Sequence, residues 1–108
     1  MSTELRERLC ALDDFDDGEV RRFEVDDRRI AVVRVGDGVY AIGDVCTHQD
    51  VSLAEGEVNA EELTLECPKH GSEFSLETGE ALSLPATKAV PRYDVEVVDG
   101  DVWLSVAP

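Results

Sequence analysis

The sequence predicts an all-β fold, built as an antiparallel β-sandwich or a partly open barrel, and three observations support this prediction. Apolar and polar residues alternate with a period of two along most of the chain. Turn-forming residues separate these segments at intervals of roughly 8–12 residues, and no segment keeps a helical apolar period over three turns. Because the chain has 108 residues and contains no internal repeat or linker-like stretch, we expect one domain over residues 1–108.

Four strands are predicted in the first half of the chain, where apolar residues alternate with charged ones between acidic or glycine-rich turns. These strands are Leu5–Cys10, Glu19–Val25, Arg29–Val35 and Val39–Asp44. The segment Gly36-Asp37-Gly38 predicts a tight hairpin between the last two strands, because glycine and aspartate tolerate the positive φ angles of such turns.

Three further strands are predicted in the second half of the chain, at Leu63–Glu66, Arg92–Val98 and Asp101–Val106. The last two alternate clearly and are joined by the turn residues Asp99-Gly100. The stretch from Val45 to Gly56 is long and irregular for so small a domain, and loops of this kind are often functional.

The chain carries a strongly negative charge. It has 25 Asp and Glu residues against 10 Lys and Arg residues, which gives a formal net charge of −15 and a pI near 4.2. This charge repels phosphate, so we expect neither nucleic acid nor an anionic membrane surface as a partner, whereas a basic protein surface remains compatible. No apolar run reaches the roughly 18–20 residues of a membrane helix, and residues 1–8 lack the apolar segment of a signal peptide. We therefore expect a cytoplasmic protein.

Two short motifs combine cysteine with histidine. They are Cys46-Thr47-His48 and, after 18 further residues, Cys67-Pro68-Lys69-His70. The motifs contain both histidines of the chain and two of its three cysteines, and each follows the end of a predicted strand. Two such loops on neighbouring hairpins can meet at their tips, which predicts a metal site.

Two kinds of metal centre are compatible with two cysteines and two histidines. A structural zinc ion accepts this ligand set, although its usual spacing places like ligands together. A binuclear [2Fe–2S] centre better explains why each loop supplies one cysteine and one histidine, since one iron then takes two thiolates and the other two imidazoles. Both centres remain open at this point, as does a purely structural role for the four residues.

The chain resembles the Rieske-type [2Fe–2S] proteins, in particular the small soluble Rieske ferredoxins that serve Rieske non-haem iron oxygenases. The segments that carry the resemblance are Asp44-Val45-Cys46-Thr47-His48, Cys67-Pro68-Lys69-His70-Gly71-Ser72-Glu73-Phe74, Thr78-Gly79-Glu80 and Leu84-Pro85-Ala86. It implies a Rieske-type antiparallel β-sandwich in which a small cluster-binding subdomain is inserted at about residues 45–86.

The resemblance also implies the ligands of a [2Fe–2S] cluster. Cys46 and Cys67 would bind one iron, and His48 and His70 the other. The remaining site residues implied by the family are Thr47, Gly71, Ser72, Phe74 and Pro85, the last in a loop that covers the cluster.

The chain departs from the high-potential members of that family at three positions. Those members carry a disulfide between the two loops, and the corresponding residues here are Val51 and Lys69. They also direct a serine and a tyrosine hydroxyl at the cluster sulfurs, and here Ser72 is present whereas the tyrosine position is Phe74. Together with the negative charge, these differences predict a potential near the lower end of the Rieske range of roughly −150 to +300 mV.

The histidine count predicts an electron carrier and not an oxygenase. A catalytic Rieske oxygenase subunit needs a second iron with its own two histidines, and both histidines of this chain are committed to the cluster. By resemblance, the protein would be a monomer that carries electrons from a flavin-dependent reductase to the terminal oxygenase of a dioxygenase system. Three other roles remain open: a Rieske protein of iron–sulfur cluster assembly, the small subunit of a nitrite reductase, and a structural zinc-binding interaction module.

Overall fold

The computed structural model describes residues 5–25, 27–46, 51–69, 71–84 and 88–106. Over these ranges the chain forms nine strands and two short 3-10 helices. The strands are β1 Leu5–Ala11, β2 Val20–Val25, β3 Arg28–Val35, β4 Gly38–Gly43, β5 Glu57–Asn59, β6 Thr64–Glu66, β7 Glu73–Ser75, β8 Arg92–Val98 and β9 Asp101–Val106. The 3-10 helices are Leu12–Asp14 and Leu53–Glu55. No helix in the described ranges is long and apolar enough to cross a membrane.

The strands form two antiparallel sheets. The larger sheet has the order β1-β9-β8-β4-β3-β2, and its two halves meet at a short pairing of β4 with β8, at Ala41 with Tyr93 and Ile42 with Arg92. The smaller sheet has the order β5-β6-β7 and is formed by chain that lies between β4 and β8. The predicted all-β antiparallel fold is therefore confirmed.

Strand β3 is buried on both faces. Ile30 and Val32 pack into one core, while Ala31 and Val33 pack into a second core on the opposite face, because successive side chains of a strand alternate between faces. The first core also contains Phe15, Val25, Ala41, Val102 and Leu104. The second core also contains Ile42, Cys46, Leu53, Leu65, Cys67, Phe74, Leu76 and Val90, and it joins the larger sheet to the smaller one.

All seven predicted strands are present, with ends that differ by no more than one residue from the sequence-based bounds. Strand β6 begins at Thr64 because Leu63 adopts a positive φ of 54°, outside the extended region. Strands β5 and β7 were not predicted. Each has three residues with a single apolar side chain, which is too short to show alternation.

Candidate metal centre

The first cysteine of the predicted site begins a loop that is closed by backbone pairing. Chain leaving β4 reaches Val45, which forms an antiparallel bridge with Ser52. The next residue, Cys46, donates its backbone N–H to the carbonyl oxygen of Val51 at 3.0 Å. Cys46 therefore occupies the first position inside a hairpin-like loop.

The second cysteine occupies the equivalent position in the β6–β7 hairpin. Glu66 pairs with Glu73 as Val45 pairs with Ser52, and in both pairs the partners are seven residues apart. Cys67 donates its backbone N–H to the carbonyl oxygen of Ser72 at 2.7 Å, again five residues further along the chain. The two cysteines thus start two loops of matching register, although one motif has one residue between Cys and His and the other has two.

The structure brings the two cysteines into a single core. Cys46 and Cys67 are each 3 % exposed and belong to the same contiguous cluster of buried apolar residues. Other predicted site residues share this environment: Phe74 is completely buried in the cluster, and Ser72 is 1 % exposed. His48, His70, Thr47 and Pro85 lie outside the described residues.

The β6–β7 loop requires a glycine at position 71. Gly71 has a φ of 76° and donates its backbone N–H to the carbonyl oxygen of Cys67 at 3.1 Å. A residue with a side chain would be strained there. The tight turn keeps the chain after Cys67 folded back on its own hairpin.

A buried carboxylate holds the base of the Cys46 loop. The side chain of Asp44 is fully buried, and the Ser52 hydroxyl donates to it at 2.7–2.8 Å. The backbone N–H of Ala54 donates to the same carboxylate at 2.9 Å, and the guanidinium of Arg29 lies 3.8 Å from it. Asp44 therefore ties the two ends of the loop together. The sequence places Asp44 two residues before Cys46, in a segment that carries the family resemblance, but assigns it no role; its partner Ser52 lies four residues after His48.

The two loops are packed against each other through Gly56. This residue follows the Leu53–Glu55 helix, and a Cβ atom placed on it would overlap the carbonyl oxygen of Glu66. Its φ of −88° is ordinary, so the need for glycine is one of space and not of backbone conformation. The end of the first loop thus lies directly on the strand that leads to Cys67.

The described half of the site fits two thiolate ligands. Two cysteines at matching positions of adjacent loops suit a metal that prefers soft sulfur donors, such as the iron of an iron–sulfur cluster. A cavity of about 300 Å³ opens beside Cys67 and is lined by Glu55, Gly56, Glu57, Glu66, Cys67, Pro68 and Gly71. No group of three or more metal-ligating side chains converges within the described ranges, which contain neither histidine.

Cys10 lies apart from this site. It is half-buried in β1 and packs against the other core. Burial raises the pKa of its thiol, and the nearby carboxylate of Asp14 raises that pKa further. Both effects reduce the amount of reactive thiolate at this position relative to a free cysteine.

Comparison with known proteins points to one family. The sequence profile of the Rieske [2Fe–2S] domain matches residues 6–94. The 3-phenylpropionate/cinnamic acid dioxygenase ferredoxin subunit of Escherichia coli strain K12 is 39 % identical over 97 residues, which are 90 % of each chain.

Solved structures give the same result. The ferredoxin of carbazole 1,9a-dioxygenase from Nocardioides aromaticivorans IC177 superposes with a TM-score of 0.90 at 37 % identity, over 92 % of this chain and 95 % of that one. A chain from the complex of reduced oxygenase and oxidized ferredoxin in carbazole 1,9a-dioxygenase superposes with a TM-score of 0.86 at 38 % identity, over 95 % and 94 % of the two chains.

Proposed function

Since the chain belongs to the Rieske [2Fe–2S] domain family, we propose that it is the ferredoxin component of a multicomponent dioxygenase system. In this role it carries single electrons to a terminal oxygenase and is not itself the enzyme. The observation that carries the proposal is the pair of buried cysteines at matching positions of two adjacent loops, in a chain whose relatives are named as dioxygenase ferredoxins.

Membership of the family implies a [2Fe–2S] cluster and favours it over the zinc module. We assign Cys46 and Cys67 to one iron and His48 and His70 to the other. When bound, this cluster accepts and releases one electron. The proposed cluster-binding subdomain, at about residues 45–86, contains all four ligands together with Thr47, Gly71, Ser72, Phe74 and Pro85.

The residues of the chain itself supply the surroundings of the cluster. Burial of Cys46 and Cys67 keeps their sulfur atoms out of water, and the apolar ring of Phe74 adds no hydrogen-bond donor near them. Asp44, Ser52 and Gly56 hold the two loops in place. Because the side chains are packed around the thiols before any electron arrives, little rearrangement is needed when the charge changes.

The partners follow from the same proposal. The relative found in complex with an oxygenase supports a terminal oxygenase as electron acceptor. A flavin-dependent reductase is the proposed donor, and the protein is proposed to act as a monomer. We expect it to work in the cytoplasm, where a reducing environment keeps cysteine thiols available for metal.

Metal analysis and spectroscopy test the assignment. We expect about two iron and two acid-labile sulfide atoms per chain, with an absorption spectrum that bleaches on reduction. His48→Ala and Cys67→Ala should each abolish this spectrum, whereas the matched variant Cys10→Ser should keep it. A colourless protein that contains one zinc ion per chain would refute the proposal.

The carrier role needs a second experiment. Reduced protein mixed with the oxygenase component of carbazole 1,9a-dioxygenase should reoxidise and support substrate turnover. Oxygenase turnover that proceeds equally well without the protein would contradict the role as electron carrier.

A further inference from the structure

Three glutamates stand side by side across the smaller sheet. The strand register places Glu57 of β5 opposite Glu66 of β6, and Glu66 opposite Glu73 of β7. Directly opposite residues of antiparallel strands project from the same face, with Cβ atoms about 4.5–5.5 Å apart. We call these three residues the glutamate row.

The glutamate row faces away from the core. The adjacent row of the same sheet, Val58, Leu65 and Phe74, packs into the second core, so the glutamates project from the opposite face. Like charges placed directly opposite one another destabilise a sheet. Within the described ranges none of the three glutamates forms an ion pair that would offset this repulsion.

An exposed leucine continues the row at its β7 end. Ala81 forms an antiparallel bridge with Phe74, and the backbone N–H of Leu82 donates to the carbonyl oxygen of Glu73 at 2.7 Å. This register sets Leu82 opposite Glu73. Leu82 is 53 % exposed and Leu84 is 77 % exposed, more than any other large hydrophobic side chain in the described ranges.

The glutamate row lies next to the β6–β7 loop that begins at Cys67. Glu66 immediately precedes Cys67, and Glu73 immediately follows Ser72. Glu55, Glu57 and Glu66 also line the cavity of about 300 Å³ that opens beside Cys67. A protein bound here would therefore lie close to a proposed ligand of the cluster.

We propose that the exposed leucines Leu82 and Leu84, with the glutamate row beside them, form the docking site for the electron-accepting protein. Charge complementarity selects a partner surface on which lysine or arginine side chains surround an apolar patch, since such a surface would relieve the repulsion among the three carboxylates and cover both leucines. This inference rests on the proposed function as an electron carrier.

Stopped-flow electron transfer to cytochrome c, a basic one-electron acceptor, tests the docking site. The variant Glu57→Gln/Glu66→Gln/Glu73→Gln removes the charge of the row. A matched control, Glu7→Gln/Glu61→Gln/Glu62→Gln, removes three exposed charges from β1 and from the turn at the far end of β6. At low ionic strength we expect the row variant to react about tenfold more slowly than wild type, and the control less than about twofold more slowly.

The same electron-transfer rates are also measured at high salt and in a leucine variant. In about 0.5 M NaCl the row variant and wild type should react at nearly equal rates, because screening shortens the range of charge interactions to a few ångströms. Leu82→Ser/Leu84→Ser should slow the reaction at both salt concentrations, since apolar contact is not screened. Equal slowing by the row and control variants, or no effect of the leucine variant, would overturn the proposal.

A small acceptor separates the docking site from the proposed function. Ferricyanide needs no docking surface, so every variant that holds its cluster should reduce it at least as fast as wild type. Failure of the wild-type protein to reduce ferricyanide would count against the carrier role itself. If the triple variant binds no cluster, the single variant Glu57→Gln on β5 is compared with the control Glu61→Gln. We expect Glu57→Gln to transfer electrons to cytochrome c about twofold more slowly than the control.

Discussion

The Ser52 hydroxyl donates to the fully buried carboxylate of Asp44 at 2.7–2.8 Å, eight residues back along the chain. The Cys46 loop lies between these two residues, so the hydrogen bond closes its base. Backbone hydrogen bonds close the same base, from the Cys46 N–H to the carbonyl oxygen of Val51 at 3.0 Å and from the Leu53 N–H to that of Asp44 at 2.6 Å. The carboxylate of Asp44 adds side-chain contacts to this backbone pairing.

Replacing Asp44 should destabilise the protein more than replacing an exposed aspartate does. Asp44→Ala leaves the Ser52 hydroxyl and the Ala54 N–H without their acceptor in a buried site, and each such loss costs roughly 1–3 kcal/mol. We expect the free energy of unfolding to fall by about 3 kcal/mol in urea titrations. The exposed Asp37→Ala serves as control and should leave the urea midpoint unchanged. A midpoint for Asp44→Ala as high as that of the control would show that the carboxylate does not hold the loop.

The contact between the loops should tolerate no side chain at position 56. In Gly56→Ala the added methyl group overlaps the Glu66 carbonyl oxygen, so the chain must shift just before Cys67. We expect a loss of at least about 2 kcal/mol in stability and a lower iron content. Gly38→Ala is the matched control, because a Cβ there has its nearest neighbour at 3.5 Å. Equal iron content in the two variants would contradict this account.

The redox potential should respond to a hydroxyl group at position 74. Phe74 is fully buried in the core that contains both cysteines, at the position where high-potential Rieske proteins carry tyrosine. A new hydrogen bond to a cluster sulfur favours the reduced, more negative state. If that bond contributes about 1 kcal/mol, Phe74→Tyr raises the potential by about 40 mV in a redox titration. Phe23→Tyr, in the other core, should leave it unchanged, and a lower potential in Phe74→Tyr would contradict the argument.

Alkylation by iodoacetamide should distinguish the three cysteines. Burial and then the charge of Asp14 raise the pKa of Cys10, so less of its reactive thiolate is present at pH 8 than in a free cysteine. The reaction of the holoprotein should therefore be slow, confined to Cys10, and accelerate only above the ordinary pKa of about 9. Mass spectrometry would follow the added groups. Chelation of the iron should expose Cys46 and Cys67, and rapid modification of all three cysteines in the holoprotein would refute the ligand assignment.

The sequence predicted the long strands well because their pattern depends on burial. Arg29–Val35 was recognised from its β-branched residues, and the structure explains this composition by the burial of β3 on both faces. β5 and β7 escaped prediction because pairing with β6, and not their own composition, defines them. The alternation of apolar and polar residues indicates which side chains are buried. It does not indicate which strand a three-residue segment pairs with.

The sequence drew attention to the two cysteines but not to the residues that support them. The paired spacing of cysteine and histidine predicts Cys46 and Cys67 as ligands, and the structure places both in one core, while their role as ligands stays a prediction. Asp44 and Gly56 were missed because their roles depend on residues 8 and 10 positions away, Ser52 and Glu66. Such contacts become visible only after the chain has folded. The assignments of His48 and His70 stay predictions.

Strand β3 also determines how cooperatively the protein unfolds. Ile30 and Val32 belong to one core, and Ala31 and Val33 belong to the other. Unfolding of either core therefore removes packing contacts from the other core as well. Thermal unfolding should therefore be a single cooperative transition. The smaller sheet with its cysteine loops and the larger sheet then unfold together. Conditions that unfold the cysteine loops therefore expose the whole chain to proteolysis.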